Sequence, residues 1–153
     1  MTGVQTCAIP IFYNYDLYGR VAIPKSHNAD DVPEIYRLAT LSKGVFINPA
    51  LTEPFGLTIL EAAASGLPVV ATENGGPVDI ISNCKCGTLV DPLDKQDITQ
   101  ALLTYLTDKS SWNRISKNGI NGVRKHYAWR AHAENYLEKI SKLEARYETL
   151  PED

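Results

Sequence analysis

A chain of 153 residues with 44% apolar residues and a formal charge of −3 is long enough to bury one core, and it lacks the basic patch that a nucleic-acid surface needs. No apolar run approaches the roughly 20 residues of a membrane-spanning helix, so neither nucleic acid nor membrane is expected as a partner. The three cysteines, Cys7 and the close pair Cys84 and Cys86, lack the second pair or nearby histidine of a zinc site; no metal or cofactor is called for, and free thiols point to a reducing cytoplasm.

In chain order, Arg20 to Ile23 reads as a short β run, and Asp31 then caps a helix from Val32 to Ser42 with Pro33 in its first turn. Val45 to Ile47 is a buried strand ended by Asn48-Pro49. A helix from Gly56 to Ser65 follows, closed by Gly66 and Pro68. Val69 to Ala71 is the next strand, Pro77 to Asn83 a brief helix, and Thr88 to Val90 a strand before Asp91-Pro92. Three helices complete the chain, at Asp94 to Leu106, Ser110 to Lys125 and Trp129 to about Tyr147. Strands separated by single helices predict an α/β fold, a Rossmann-like doubly wound parallel sheet with right-handed crossovers. Ligands of such sheets bind at the carboxyl ends of the strands, where the loops PKSH (Pro24 to His27), NPALTEPFG (Asn48 to Gly56) and ATENGGP (Ala71 to Pro77) gather.

The stretch Glu53-Pro54-Phe55-Gly56-Leu57-Thr58-Ile59-Leu60-Glu61 puts two carboxylates eight positions apart across a loop-to-helix junction. The first turn of that helix offers unpaired N–H groups and the positive end of the helix dipole, an anion site that suits a diphosphate. The helix is apolar on most sides and is expected to be buried, with Thr58, Glu61 and Ser65 forming one polar ridge. A carboxylate one turn below the phosphates, roughly 5 Å away, is placed to accept hydrogen bonds from a ribose. Glu53 can reach the sugar beyond them. The plainer alternative makes Glu61 a solvated face and Glu53 an ordinary loop acid. Gly75-Gly76-Pro77 reads either as a turn and helix start or as a loop closing over the ligand. His126, Trp129 and His132 are expected to pack the last helix onto the domain, and His27 to be solvated. Neither a G-x-G-x-x-G fingerprint nor a Walker A loop is present.

The run from Val45 to Ile81, VFINPALTEPFGLTILEAAASGLPVVATENGGPVDII, resembles retaining GT-B glycosyltransferases with an E-x7-E motif. More narrowly, Asn48-Pro49-Ala50, the GGPVDI at Gly75 to Ile80, YDLYGRVAIPKSH at Tyr15 to His27 and DVPEIYRLA at Asp31 to Ala39 resemble the C-terminal nucleotide-sugar domain of the sucrose-phosphate synthase family. The resemblance implies transfer of glucose from UDP-glucose to fructose 6-phosphate. It assigns Glu53 as the catalytic-site acid on the donor glucose hydroxyls, with Phe55 and Gly56 lining the sugar. Leu57 and Thr58 would give N–H groups to the diphosphate, Glu61 would hold the ribose, and Ser26 would lie near the nucleobase. A sucrose synthase, another retaining GT-B enzyme, and a non-catalytic nucleotide-sugar-binding module are the alternatives.

The pattern covers about Tyr13 to Leu143, so residues 13–150 are expected to form an incomplete C-terminal GT-B domain. Residues 1–12 do not continue it and read as a non-native leader; they also lack the basic start and apolar core of a signal peptide. The acceptor domain that binds fructose 6-phosphate and the family's phosphate-clamping Arg and Lys have no counterpart here, and neither role is given to Arg20 or Lys25. The isolated segment is therefore expected to be inactive, and to hold UDP weakly if at all.

Overall fold

The computed structural model describes residues 10–23 and 26–147. The chain divides into two units, Met1–Val32 and Pro33–Asp153. In the first, residues 10–14 are helical and turns occupy residues 15–16 and 18–20. The β run expected at Arg20 to Ile23 does not form: Arg20 belongs to a turn and the next three residues are irregular, with Val21 43% and Ile23 65% exposed. A strand is stable only when its N–H and C=O groups pair with a neighbour, and this segment joins no ladder among the described residues. Asp31 also departs from expectation. It closes a 3₁₀ turn, Ala29–Asp31, by accepting the Asn28 N–H at 2.8 Å, and so sits inside the turn rather than capping the helix that follows.

That helix is α1 (Val32–Leu41). The second unit continues with β1 (Phe46–Asn48), α2 (Leu57–Ala64), β2 (Val69–Thr72), α3 (Gly76–Cys84), β3 (Gly87–Val90), α4 (Lys95–Thr107), α5 (Lys109–His126) and α6 (Trp129–Tyr147). Acids cap two of the helices. The Asp94 carboxylate accepts the N–H groups of Gln96 and Asp97 ahead of α4, and that of Asp108 accepts those of Ser110 and Ser111 ahead of α5. Each cap satisfies donors that the helix itself cannot pair, a contribution of about 1 kcal/mol.

The three strands form one parallel sheet in the order β1-β2-β3, with Phe46 opposite Val69 and Val69 opposite Gly87. Period-two alternation divides β2 between two cores. Val69 and Ala71 pack with Ile59, Ala62 and Ala63 of α2 and with Ile80, Ile81 and Cys84 of α3. Val70 points the other way, to Ala101 and Tyr105 of α4 and Trp112 and Ile115 of α5. Helices thus cover both faces of the sheet, as expected for a doubly wound fold. Every residue of β2 is buried, and each buried Val, Leu or Ile contributes about 1.5–3 kcal/mol. The Trp112 indole N–H donates to the Gly44 carbonyl at 2.8 Å, and Lys43 lies 3.8 Å from the centre of the same ring.

β1 is less buried than its apolar sequence suggests. Ile47 is 41% exposed because β1 lies at an edge of the described sheet. On α1, Leu38 and Leu41 are also exposed. Among the described residues no helix is long and apolar enough to cross a membrane.

Candidate active site

The carboxyl end of β1 leads directly into the motif loop, and the carboxyl end of β2 leads into the loop that supports it. Glu53 and Gly75 pair as in a parallel ladder: the Glu53 N–H donates to the Asn74 carbonyl at 3.1 Å, and the Gly76 N–H donates to the Glu53 carbonyl at 2.9 Å. This approach requires glycine. A Cβ on Gly75, whose φ is +104°, would stand 2.2 Å from the Glu53 carbonyl oxygen, and a Cβ on Gly76 would meet the Phe55 carbonyl oxygen at the same 2.2 Å. The Gly75-Gly76 pair is therefore the seat on which the motif loop rests.

The Glu53 side chain folds back over its own loop. One carboxylate oxygen accepts the N–H groups of Phe55 at 3.2 Å and Gly56 at 3.0 Å, and the other accepts the Asn48 side-chain amide at 3.2 Å. These bonds, led by the one from Asn48, hold the Glu53 carboxyl below the usual carboxylate range. Gly56 then starts α2 from φ +95°, a left-handed conformation that glycine adopts without strain, and its carbonyl accepts the N–H groups of Ile59 and Leu60 at 3.1 Å. Among the described residues the N–H groups of Leu57 and Thr58 find no acceptor. They face outward at the positive end of the helix.

One turn further along, Glu61 is exposed. Its carboxylate accepts the Tyr36 hydroxyl of α1 at 3.3 Å, and that hydroxyl lies 3.4 Å from the Thr58 carbonyl. Burial, reinforced by the Glu61 charge, pushes the Tyr36 phenol above its usual range. α2 is less buried than its composition suggests. It buries Ile59, Ala62 and Ala63, while Leu57, Thr58, Glu61 and Ala64 stay exposed.

Beside this junction lies a cleft of about 540 Å³, lined by Phe55, Leu57 and Leu60 on one side and by His126, Tyr127, Trp129 and His132 on the other. His126 and His132, expected with Trp129 to pack the last helix onto the domain, are exposed, and of this group Tyr127 packs against the core. Trp129 does not: it is 86% exposed, with its ring edge-on to His132 at 5.9 Å.

The arrangement has an acid bonded to a glycine-seated loop, two unpaired N–H groups at a helix start and a second acid one turn below. Residues 8–122 match the family model "Glycosyl transferases group 1". The chain belongs to the group 1 glycosyl transferases. Among curated relatives it is 52% identical over 144 residues to a sucrose-phosphate synthase from Zea mays, a match covering 94% of this chain and 13% of the maize protein. It is 54% identical over 145 residues to the sucrose-phosphate synthase from Spinacia oleracea, covering 95% of this chain and 14% of that protein. The chain thus spans about an eighth of the length of these relatives. Among solved structures it resembles the sucrose-phosphate synthase of Thermosynechococcus elongatus, with a TM-score of 0.74 and 28% identity over 94% of this chain and 35% of that one. It also resembles the C-terminal domain of a group 1 glycosyl transferase from Francisella tularensis, with a TM-score of 0.61 and 30% identity over 70% of this chain and 53% of that domain.

The glycosyl transferase fold brings Glu53, Phe55, Gly56, Leu57, Thr58 and Glu61 to one junction. Ser26 is exposed and belongs to the first unit. Asn48 and Tyr36, which hold the two acids, were not picked out as site residues from sequence. For Asn48 the local signal was the Asn-Pro turn five residues before Glu53; for Tyr36, twenty-five residues from its partner, there was none.

Proposed function

We propose that this segment is the donor-binding part of a retaining glycosyltransferase, a sucrose-phosphate synthase that transfers glucose from UDP-glucose to fructose 6-phosphate. The observation that carries this reading is the pair of unpaired N–H groups, Leu57 and Thr58, set between two acids at the start of α2. The likeness to the maize and spinach sucrose-phosphate synthases supports the reaction. In it, Leu57 and Thr58 donate to the diphosphate of the nucleotide sugar, and Phe55 and Gly56 line the glucose. Glu53 accepts hydrogen bonds from the glucose hydroxyls, and Glu61 from the ribose. Ser26 is assigned to the nucleobase.

As the bond to the sugar breaks, negative charge builds on the departing diphosphate. Preorganised helix N–H groups stabilise that charge more than they stabilise the bound donor, because they need not reorient when it appears. The fructose 6-phosphate site is assigned to parts of the longer relatives that this chain does not span. The cytoplasm is the proposed compartment, in keeping with the buried free thiols of Cys84 and Cys86.

The test is turnover by a complete gene product containing this segment. Sucrose 6-phosphate from UDP-glucose and fructose 6-phosphate is the expected product, with none from the 153-residue chain alone. Transfer to free fructose in place of its phosphate would replace this reading with a sucrose synthase.

A further inference from the structure

Glu53 contacts the sugar in the proposed reaction, and the Phe55 and Gly56 N–H groups of its own loop fix one of its two oxygens. An ionised carboxylate offers about four acceptor sites. Three are taken: two on one oxygen, by the Phe55 and Gly56 N–H groups, and one on the other, by the Asn48 amide. The vacant site lies on the oxygen that Asn48 holds.

Asn48 is itself locked. It is half-buried at the end of β1, and its carbonyl oxygen accepts the Ala50 N–H at 3.2 Å. That bond decides which way the amide faces, leaving its NH₂ no choice but to point at Glu53. Among the described residues no cation pairs with Glu53 beside Asn48. The ion pairs among the described residues are Glu34–Arg37, Arg130–Glu134 and Glu138–Lys142, and none involves Glu53.

We infer that Asn48 is a positioning residue for sugar recognition: it anchors one oxygen of Glu53 so that the single vacant acceptor site faces the hydroxyls of the donor sugar. The assignment rests on the donor-site reading above. It deepens that reading by naming the residue that aims the sugar-binding acid. Asn48 acts through Glu53, so its influence falls on the sugar and not on the nucleotide.

The discriminating variant is Asn48→Asp. Its carboxylate still accepts the Ala50 N–H and keeps the turn, but it replaces the amide donor with a like charge facing Glu53. Two readouts, the titration on the 153-residue chain and the affinities on a complete gene product containing it, are compared with wild type and with Asn48→Ala, which loses turn and donor together. In a ¹³C-detected titration of the Glu53 carboxyl, Asn48→Asp is expected to raise its pKa, and more than Asn48→Ala does. In ligand-observed NMR, the affinity for UDP-glucose is expected to fall about tenfold relative to that for UDP, the effect of losing a hydrogen bond to a charged group. An unchanged titration in Asn48→Asp beside a shifted one in Asn48→Ala would show that only the turn matters and overturn the proposal. So would an unchanged ratio of UDP-glucose to UDP affinity in Asn48→Asp. If a complete gene product containing this segment bound neither ligand, the donor-site reading would fall instead, and the titration would still decide whether Asn48 holds Glu53.

Discussion

Glu53 receives three hydrogen bonds from its own loop and the strand before it, whereas Glu61 stands exposed with one long bond from the Tyr36 hydroxyl at 3.3 Å. The two carboxylates belong to one motif but are prepared differently. The first is built into the scaffold: its backbone pairs with the Gly75 loop and its side chain ties down the start of α2. The second leaves most of its acceptor capacity to solvent and hence to a ligand. Substitution at the first end should therefore disturb folding and binding together. At the second end it should disturb binding alone.

The largest effect is expected where the scaffold end is broken from beneath. Gly75→Ala forces a Cβ to within 2.2 Å of the Glu53 carbonyl oxygen at a φ of +104°. It should lower the unfolding free energy by about 2–4 kcal/mol, the combined scale of backbone strain and overpacking, as read by urea denaturation. A change within experimental error would mean that the motif loop does not depend on this seat. At the other end, Glu61→Ala in a complete gene product containing this segment should leave stability almost unchanged and weaken UDP binding by about 1.5–3 kcal/mol. A calorimetric titration with unaltered affinity would remove Glu61 from the ribose site.

Tyr36→Phe sharpens the contrast on a smaller scale. It deletes the only protein hydrogen bond to the Glu61 carboxylate among the described residues, and should cost about 0.5–1 kcal/mol in thermal unfolding because the bond is long and partly hydrated. A loss as large as that of Gly75→Ala would show that α1 and α2 depend on this contact far more than its geometry allows.

The smallest effect is local and depends on pH. The folded-state pKa of Glu53 is lowered, so its stabilising contribution is complete above the unfolded-state value and is lost as pH falls through the folded-state value. Protection of the Phe55 and Gly56 amides, measured as exchange relative to the intrinsic rate at each pH, should fall across that acid window, while the core amides of β2 stay protected. Uniform loss of protection throughout the domain would mean that the acid transition is global and not governed by Glu53.

The same contrast separates what sequence could reveal from what it could not. The junction itself was legible because Pro54, Gly56 and Gly66 punctuate a short helix and the eight-residue spacing of its acids is unusual. The parallel sheet and its doubly wound helices followed from the alternation of apolar runs with helical ones. The β run at Arg20 to Ile23 was misread because four residues carry too little pattern to outweigh the lack of a ladder partner. Asp31 was misplaced because Asn28 and Asp31 are both good turn formers, and only the backbone decides which of them begins the helix. Leu57 and Trp129 are apolar and exposed, and composition cannot foresee that where they line an open cleft. Tyr36 reaches Glu61 only after α1 and α2 pack, a contact that no local pattern encodes.

The central claim is that the Glu53 to Glu61 junction binds a nucleotide sugar, with the phosphates at the helix start and the sugar at Glu53. It is tested most directly by ¹⁵N-resolved NMR titration of the chain with UDP and, separately, with UDP-glucose. Millimolar UDP should move the Leu57 and Thr58 amide resonances first, and UDP-glucose should add shifts at Phe55 and Gly56. Shifts confined to other parts of the chain, or identical shifts with the two ligands, would contradict the account.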